Sequence, residues 1–224
     1  MSKPIPEPAC ASCPIRSEGK RRCVTSSGRH PDNCPTVLKE ELGQEALAAY
    51  QDPESLQLAR IAGKTEGDGY VKQPDGSVRG SRSRIEELVH FCARMGYKKI
   101  GLIFCIGLRH EAAIVHKILE TNGFTVVSAV CKVGAVSKHA LEIDNPLDDP
   151  MCNPILQAKL VNEAKVDFNV LLGLCIGHDT LLFKHAEAPV TVLAVKDRVL
   201  GHNPLAAIYQ YDSYYAFLQN PLVK

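Results

Sequence analysis

The second half of this sequence predicts an α/β fold: a Rossmann-like or flavodoxin-like doubly wound parallel sheet of about four strands. Three observations predict it. Apolar runs recur at 98–105, 124–131, 167–175 and 189–196 without the polar alternation of a half-exposed sheet, as expected of strands covered on both faces. Helical patterns separate them: "LRHEAAIVHKILETNG" closes on Asn122-Gly123, "NPILQAKLVNEAKV" fills the next connection, and a short helix follows His178. Crossovers between parallel strands are right-handed, which wraps helices over both faces of one sheet.

Upstream of the sheet, "TVLKEELGQEALAAY" reads as one helix and "DPESLQLARIAG" as another, with Asp52 as N-cap and Pro53 in the first helical position. A turn at Pro74-Asp75-Gly76 joins two short segments of a loop or hairpin. A third helix starts at Ser83, where Glu86 completes a capping box, and ends at Gly96. Its apolar face holds Ile85, Leu88, Val89, Cys92 and Met95 at helical spacing, so Cys92 is assigned to the core and given no function. "DSYYAFLQN" is expected to form a last helix. The expected organisation is a Cys-rich arm over 1–35, a helical segment over 36–96 and the α/β domain over 97–224.

Composition narrows the function classes. The 224 residues are 45% hydrophobic and 23% charged with a formal net charge of +1, the balance of an ordinary globular protein with no global attraction to nucleic acid or membranes. Six Phe, seven Tyr and no Trp suggest no stacking platform for single strands. The opening "MSKPIPEPAC" carries no apolar run of the signal-peptide kind, and the longest apolar stretch, 100–108, is far short of a membrane span. The expected setting is the cytoplasm, where nine cysteines are better explained as metal ligands or reactive thiols than as disulfides.

The cysteines fall into two groups. Residues 1–35 are rich in Pro, Ser, Arg and Cys and lack hydrophobic periodicity, so core burial cannot order them. Their "CASCPIRSEGKRRCVTSSGRHPDNCP" places Cys10, Cys13, Cys23 and Cys34 so that a Cys-x-x-Cys pair and two wider spacings close a loop around one centre. Four thiolates suit tetrahedral zinc or an iron–sulfur cluster. Only one close pair is present, unlike most zinc sites, and the Cys-Pro steps at 13–14 and 34–35 echo the end of ferredoxin cluster runs, although neither ferredoxin spacing is matched. The balance tilts to iron–sulfur.

The second group is Cys105, Cys131, Cys152 and Cys175. Three of these end apolar strands, at the edge where open α/β sheets bind ligands, and Cys152 lies in the connection above them. With strands in the order 2-1-3-4 the three ends are neighbours, about 4.8 Å apart. The step Cys-Ile-Gly occurs at 105–107 and again at 175–177; a glycine there lets the backbone turn sharply or approach a bulky group. His110, His178, Asp179, Asp197, Arg198 and His202 follow the same edge. His178, His202 and Arg198 are the residues expected to move protons or bind an anionic substrate. No Walker phosphate loop, dinucleotide fingerprint or nucleophile elbow is present.

The arm together with "GLCIGHDTLLFKHAEAPVTVLAVKDRVLGHNP" resembles an uncharacterised family of predicted metal-binding proteins found largely in anaerobic bacteria and archaea, and the resemblance covers essentially the whole chain. It implies metal binding, and an anaerobic setting favours oxygen-sensitive clusters over zinc. The expectation is therefore a [4Fe–4S] cluster in the arm, with zinc as the alternative, and a second iron–sulfur or other Cys-ligated centre at the sheet's carboxyl edge. Together they would serve redox chemistry or small-molecule activation with a small substrate or an electron-transfer partner. Two other readings stay open. One is a structural zinc arm attached to a Rossmann-like small-ligand module. The other is a thiol enzyme using Cys175, and a redox disulfide between facing thiols belongs with it.

Overall fold

Proline opens two of the first three helices, where its missing N–H costs nothing and its fixed φ suits the first turn. In the computed structural model, which describes residues 7–147 and 149–223, these helices are α1 (Pro35–Leu38), α2 (Glu40–Ala49) and α3 (Pro53–Asp68). The single helix expected over 36–50 is broken at Lys39, whose φ of −123° and ψ of 38° leave the helical region. The second helix runs past its expected end at Gly63, because Asp68 accepts from both Lys64 and Arg94 and so ties the last turn down.

The chain forms two compact units, Met1–Gly63 and Lys64–Lys224. In the first unit, among the described residues, none is buried. Short-range bonds hold it instead: one-turn 3₁₀ helices at Cys10–Ser12 and Glu18–Lys20, and a parallel bridge between Arg21 and Arg29. Gly28 lies so close to the Arg21 backbone that a β-carbon there would overlap it. The arm's first six residues lie outside the described ones.

In the second unit, β1 (Tyr70–Lys72) and β2 (Val78–Gly80) pair antiparallel, so of the loop and the hairpin it is the hairpin that forms. α4 (Arg84–Met95) starts in the Ser83–Glu86 capping box and stops at Gly96 in the left-handed conformation. There follow β3 (Lys99–Phe104), α5 (Arg109–Thr121), β4 (Thr125–Val130), α6 (Pro154–Glu163), β5 (Phe168–Leu172), α7 (His178–His185) and β6 (Val190–Ala194). The sheet order is β4-β3-β5-β6, all parallel, the 2-1-3-4 order under which the strand ends carrying Cys105 and Cys131 are neighbours. Side-chain alternation then sorts the core. Ile100, Leu102, Val170 and Leu172 meet Leu88 and Cys92 of α4 and Val115 and Leu119 of α5 on one face. Ile103 and Leu171 meet Ala158 and Val161 of α6 and Leu182 of α7 on the other. Cys92 is fully buried, and burial pushes its thiol up to about 12, in line with a packing role.

Two differences matter. "DSYYAFLQN" is not an α-helix: a short α8 (Leu205–Tyr209) precedes it, and only a 3₁₀ turn, Ala216–Gln219, forms inside it. Ser213 and Gln219 there bond to the Gln210 and Tyr211 carbonyls, drawing backbone groups away from a helical ladder. More consequential is β5, which ends at Leu172 instead of at Cys175. Gly173 turns the chain with φ of +75°, beneath Leu108 from the segment after β3. A β-carbon at Gly173 would collide with Leu108, so the two turns interlock.

Candidate sulfur sites

In the first unit, the Cys13 N–H bonds to the Cys10 carbonyl at 3.3 Å, folding the Cys-x-x-Cys pair into a single turn. The Arg21 Nε donates to the Ile15 carbonyl at 2.8 Å and fixes the loop that carries Cys23. As a result Cys10, Cys13, Cys23 and Cys34 all line one cavity of about 100 Å³, with Arg21 as its one charged lining residue and no carboxylate. That volume is several times the share of one water, about 30 Å³, and it accommodates a group of several atoms.

In the second unit, sheet register decides which cysteines meet. Phe104 is paired with Val130 on one side and Leu172 on the other. The residues next in line are therefore Cys105, Cys131 and Gly173. Cys105 and Cys131 point to the α6 face, where Cys152 packs against them, and the Asn153 N–H bonds to the Cys131 carbonyl at 2.7 Å. Cys131 is 1% exposed and packs in one cluster with Cys105 and Cys152, both of which act on its thiol.

The electrostatics of this trio follow from that arrangement. Cys105 is drawn down to about 5, first by the Cys131 hydrogen bond and then by the Gly107 N–H and the Lys196 ammonium, against burial. Cys152 is drawn down to about 6, first by Cys131 and then by the charges of Lys132 and His178. Cys131 moves strongly upward because ionising it would set it against two thiolates in a buried place. The proton thus stays on the middle sulfur. The Ile106 N–H also donates to the Cys131 sulfur, at 3.3 Å.

Cys175 is not in this chain of sulfurs. It lies three residues beyond β5, half-buried, and its sulfur accepts from the Arg198 Nη2 at 2.9 Å. The two Cys-Ile-Gly glycines therefore have different tasks. Gly177 takes φ of +85° before α7, while Gly107 makes room for Lys196, whose Nζ lies 2.8 Å from where a β-carbon would be. His178 opens α7 and acts on Cys152 through charge alone. His202 closes its own turn: its Nδ1 accepts from the Asp197 N–H at 3.1 Å, and its N–H donates to the Asp197 carbonyl. His110 is exposed on α5, and Asp179 caps the Thr180 N–H within α7. Among the described residues, no three His, Cys, Asp or Glu side chains are arranged to hold a single metal ion. No helix among them is long and apolar enough to cross a membrane.

Three contributors escape a reading of the sequence alone. Lys196 is the second residue after β6 and Lys132 directly follows Cys131, so both stand at the edge where ligands bind, which is the signal that would have found them. The third is Gln157, fully buried on α6. Its Nε2 donates to the Phe104 and Ala129 carbonyls at 3.1 and 2.8 Å, clamping the ends of β3 and β4 one residue before Cys105 and two before Cys131. Nothing in the pattern of α6 marks a glutamine for that task.

Fold and sites together define a doubly wound α/β protein with a cysteine-lined loop unit and a thiol cluster at its sheet's carboxyl edge. Residues 34–193 match the family described as "Protein of unknown function (DUF1847)", and the chain belongs to that family. It is 42% identical over 203 residues to an uncharacterized protein of Methanocaldococcus jannaschii, covering 89% of this chain and 93% of that one. No solved structure matches. The family match takes in Cys34, Cys105, Cys131, Cys152 and Cys175; Cys10, Cys13, Cys23, Arg198 and His202 lie outside it.

Proposed function

We propose that this chain is an iron–sulfur redox protein, with a [4Fe–4S] cluster on Cys10, Cys13, Cys23 and Cys34 and sulfur-based chemistry at the carboxyl edge of the sheet. The observation that carries it is the first unit itself: four cysteines line one cavity in a unit whose described residues include none that is buried. A unit without an apolar core gains its stability from what its ligands bind. The cavity's size suits a group of several atoms, which favours a cluster over one zinc ion. Bound there, a cluster would supply one-electron chemistry, and Arg21 would offset part of the charge of four thiolates.

At the sheet edge, Cys131 interacts with both Cys105 and Cys152, and Cys175 is engaged by Arg198. This favours redox chemistry of the sulfurs themselves over a second four-thiolate metal centre, which would need Cys175 to leave Arg198. Lys196, Lys132 and His178 beside the trio, with Arg198 at Cys175, suit a small anionic substrate or a redox partner.

Strictly anaerobic purification with quantified iron, sulfide and zinc, joined to electron paramagnetic resonance, tests the cluster. About four iron and four sulfide per chain are expected, with loss of both in Cys13→Ala. Colourless, iron-free protein after full reconstitution overturns it.

A further inference from the structure

The geometry points to Cys152, Cys131 and Cys105 as attacker, resolver and proton acceptor in a thiol–disulfide exchange that reduces a disulfide substrate. The inference rests on reading the carboxyl edge as a sulfur-based redox site and is independent of any cluster in the first unit. Three features assign the roles. Cys152 is the most open of the three, half-buried where Cys105 is 7% and Cys131 1% exposed, and Lys132 and His178 lie beside it. Cys131 packs with both others, interacts with each, and is tied to the Cys152 segment by the Asn153 N–H bond to its carbonyl at 2.7 Å. Cys105 is faced by the Lys196 ammonium and the Gly107 N–H, which hold negative charge on its sulfur.

The electrons balance as follows. The Cys152 thiolate attacks one sulfur of a substrate R–S–S–R; the substrate S–S bond breaks, a Cys152–S–S–R bond forms, and RS⁻ leaves and takes a proton from water. Cys131 then gives its proton to the Cys105 thiolate and attacks the Cys152 sulfur. The mixed disulfide breaks, a Cys131–Cys152 disulfide forms, and the second RS⁻ leaves and is protonated by water. Two cysteines are oxidised by two electrons in all, and one disulfide is reduced to two thiols. The attack path is short because the Asn153 N–H bond to the Cys131 carbonyl already draws the two segments together. Exchange favours attackers that are ionised at ambient pH.

This arrangement also fixes the kind of substrate. The Lys132 and Lys196 ammonium groups act on the outer sulfurs of the trio, and the one Asp149 carboxylate nearby is shared between Lys132 and Lys138. An anionic disulfide such as oxidised glutathione therefore meets cations at the attacking sulfur.

The test uses the full chain, purified anaerobically, with iron and sulfide measured on the same sample. After incubation with oxidised glutathione, free thiols are alkylated and the cysteines mapped by mass spectrometry. The expected product is a Cys131–Cys152 cross-link, which needs no variant to observe. Cys131→Ser is expected to stop at one glutathionyl group on Cys152, and Cys105→Ser to form the cross-link about tenfold more slowly. A Cys105–Cys131 cross-link, modification confined to Cys175 or the N-terminal cysteines, or an unreacted trio overturns the proposal. The iron and sulfide values bear only on the cluster, so the two readings fail separately.

Discussion

The backbone N–H of Ile106 donates to the sulfur of Cys131 at 3.3 Å, so the turn that ends one strand stabilises the thiol that ends its neighbour. The next N–H in the same turn, that of Gly107, serves the Cys105 sulfur. Successive N–H groups aimed at neighbouring sulfurs make a small concave donor surface, and this one exists only because β3 and β4 end in register.

The middle thiol controls the outer two. Replacing Cys131 by Ala removes the largest cause of the low value at Cys152, which is about 6. A lowered thiol is reactive above its folded value and loses reactivity as pH falls through it. The pH profile of Cys152 alkylation is therefore expected to have its midpoint near 6 in the native protein and to move upward in Cys131→Ala. An unchanged midpoint would show that Lys132 and His178 alone set it.

Gly107 is required for space. Its conversion to Ala puts a β-carbon 2.8 Å from the Lys196 ammonium, which must swing away from Cys105. Alkylation of Cys105 is expected to shift to higher pH, with a stability loss of no more than about 1 kcal/mol, since the displaced atom ends a flexible chain. Thermal melts and site-resolved alkylation read the two effects separately.

Gln157 is a structural clamp on the same edge. In Gln157→Ala the Phe104 and Ala129 carbonyls lose a buried donor and a cavity opens. The expected cost is roughly 2–4 kcal/mol, measured by denaturant unfolding. Cys131–Cys152 cross-linking should slow in parallel, because the strand ends are no longer held together.

Gly28 tests the first unit. Its α-carbon lies against the Arg21 backbone, so Gly28→Ala must open the Arg21–Arg29 bridge that shapes the loop carrying Cys23. Iron retention is expected to fall at least severalfold while the second unit keeps its unfolding transition. Retained iron would mean that the bridge does not shape the cavity.

Asp149 ties down the segment between Cys131 and Cys152. Hydrogen bonds from Lys132, then from Lys138, hold its carboxyl near 2, below its ordinary 3.8. A depressed carboxyl contributes stability above its unfolded value and loses it as pH falls through the folded one. The segment is expected to stay protected from proteolysis at pH 4 and to loosen only as pH approaches 2, whereas Asp149→Asn should loosen it at neutral pH. Limited proteolysis across that range reads the difference.

By itself, the sequence determined the parallel sheet and the helices that cover it, because uninterrupted apolar runs separated by helical periods have few ways to bury both faces. It also determined that Cys105 and Cys131 sit at the carboxyl edge, since each directly follows a strand core, and that Cys92 belongs to the helix interior. The tertiary structure alone decided that Cys175 stands apart. A left-handed Gly173 beneath Leu108 ends β5 three residues early, and no local pattern announces a contact with a residue 65 positions away. The charges beside the trio were decided in the same way. Lys196, Lys132 and Gln157 are ordinary residues in the chain, and only the register of parallel strands and the seating of α6 bring them to the sulfurs. Chain pattern sets which faces are buried, whereas the ends of strands are set by what packs against them.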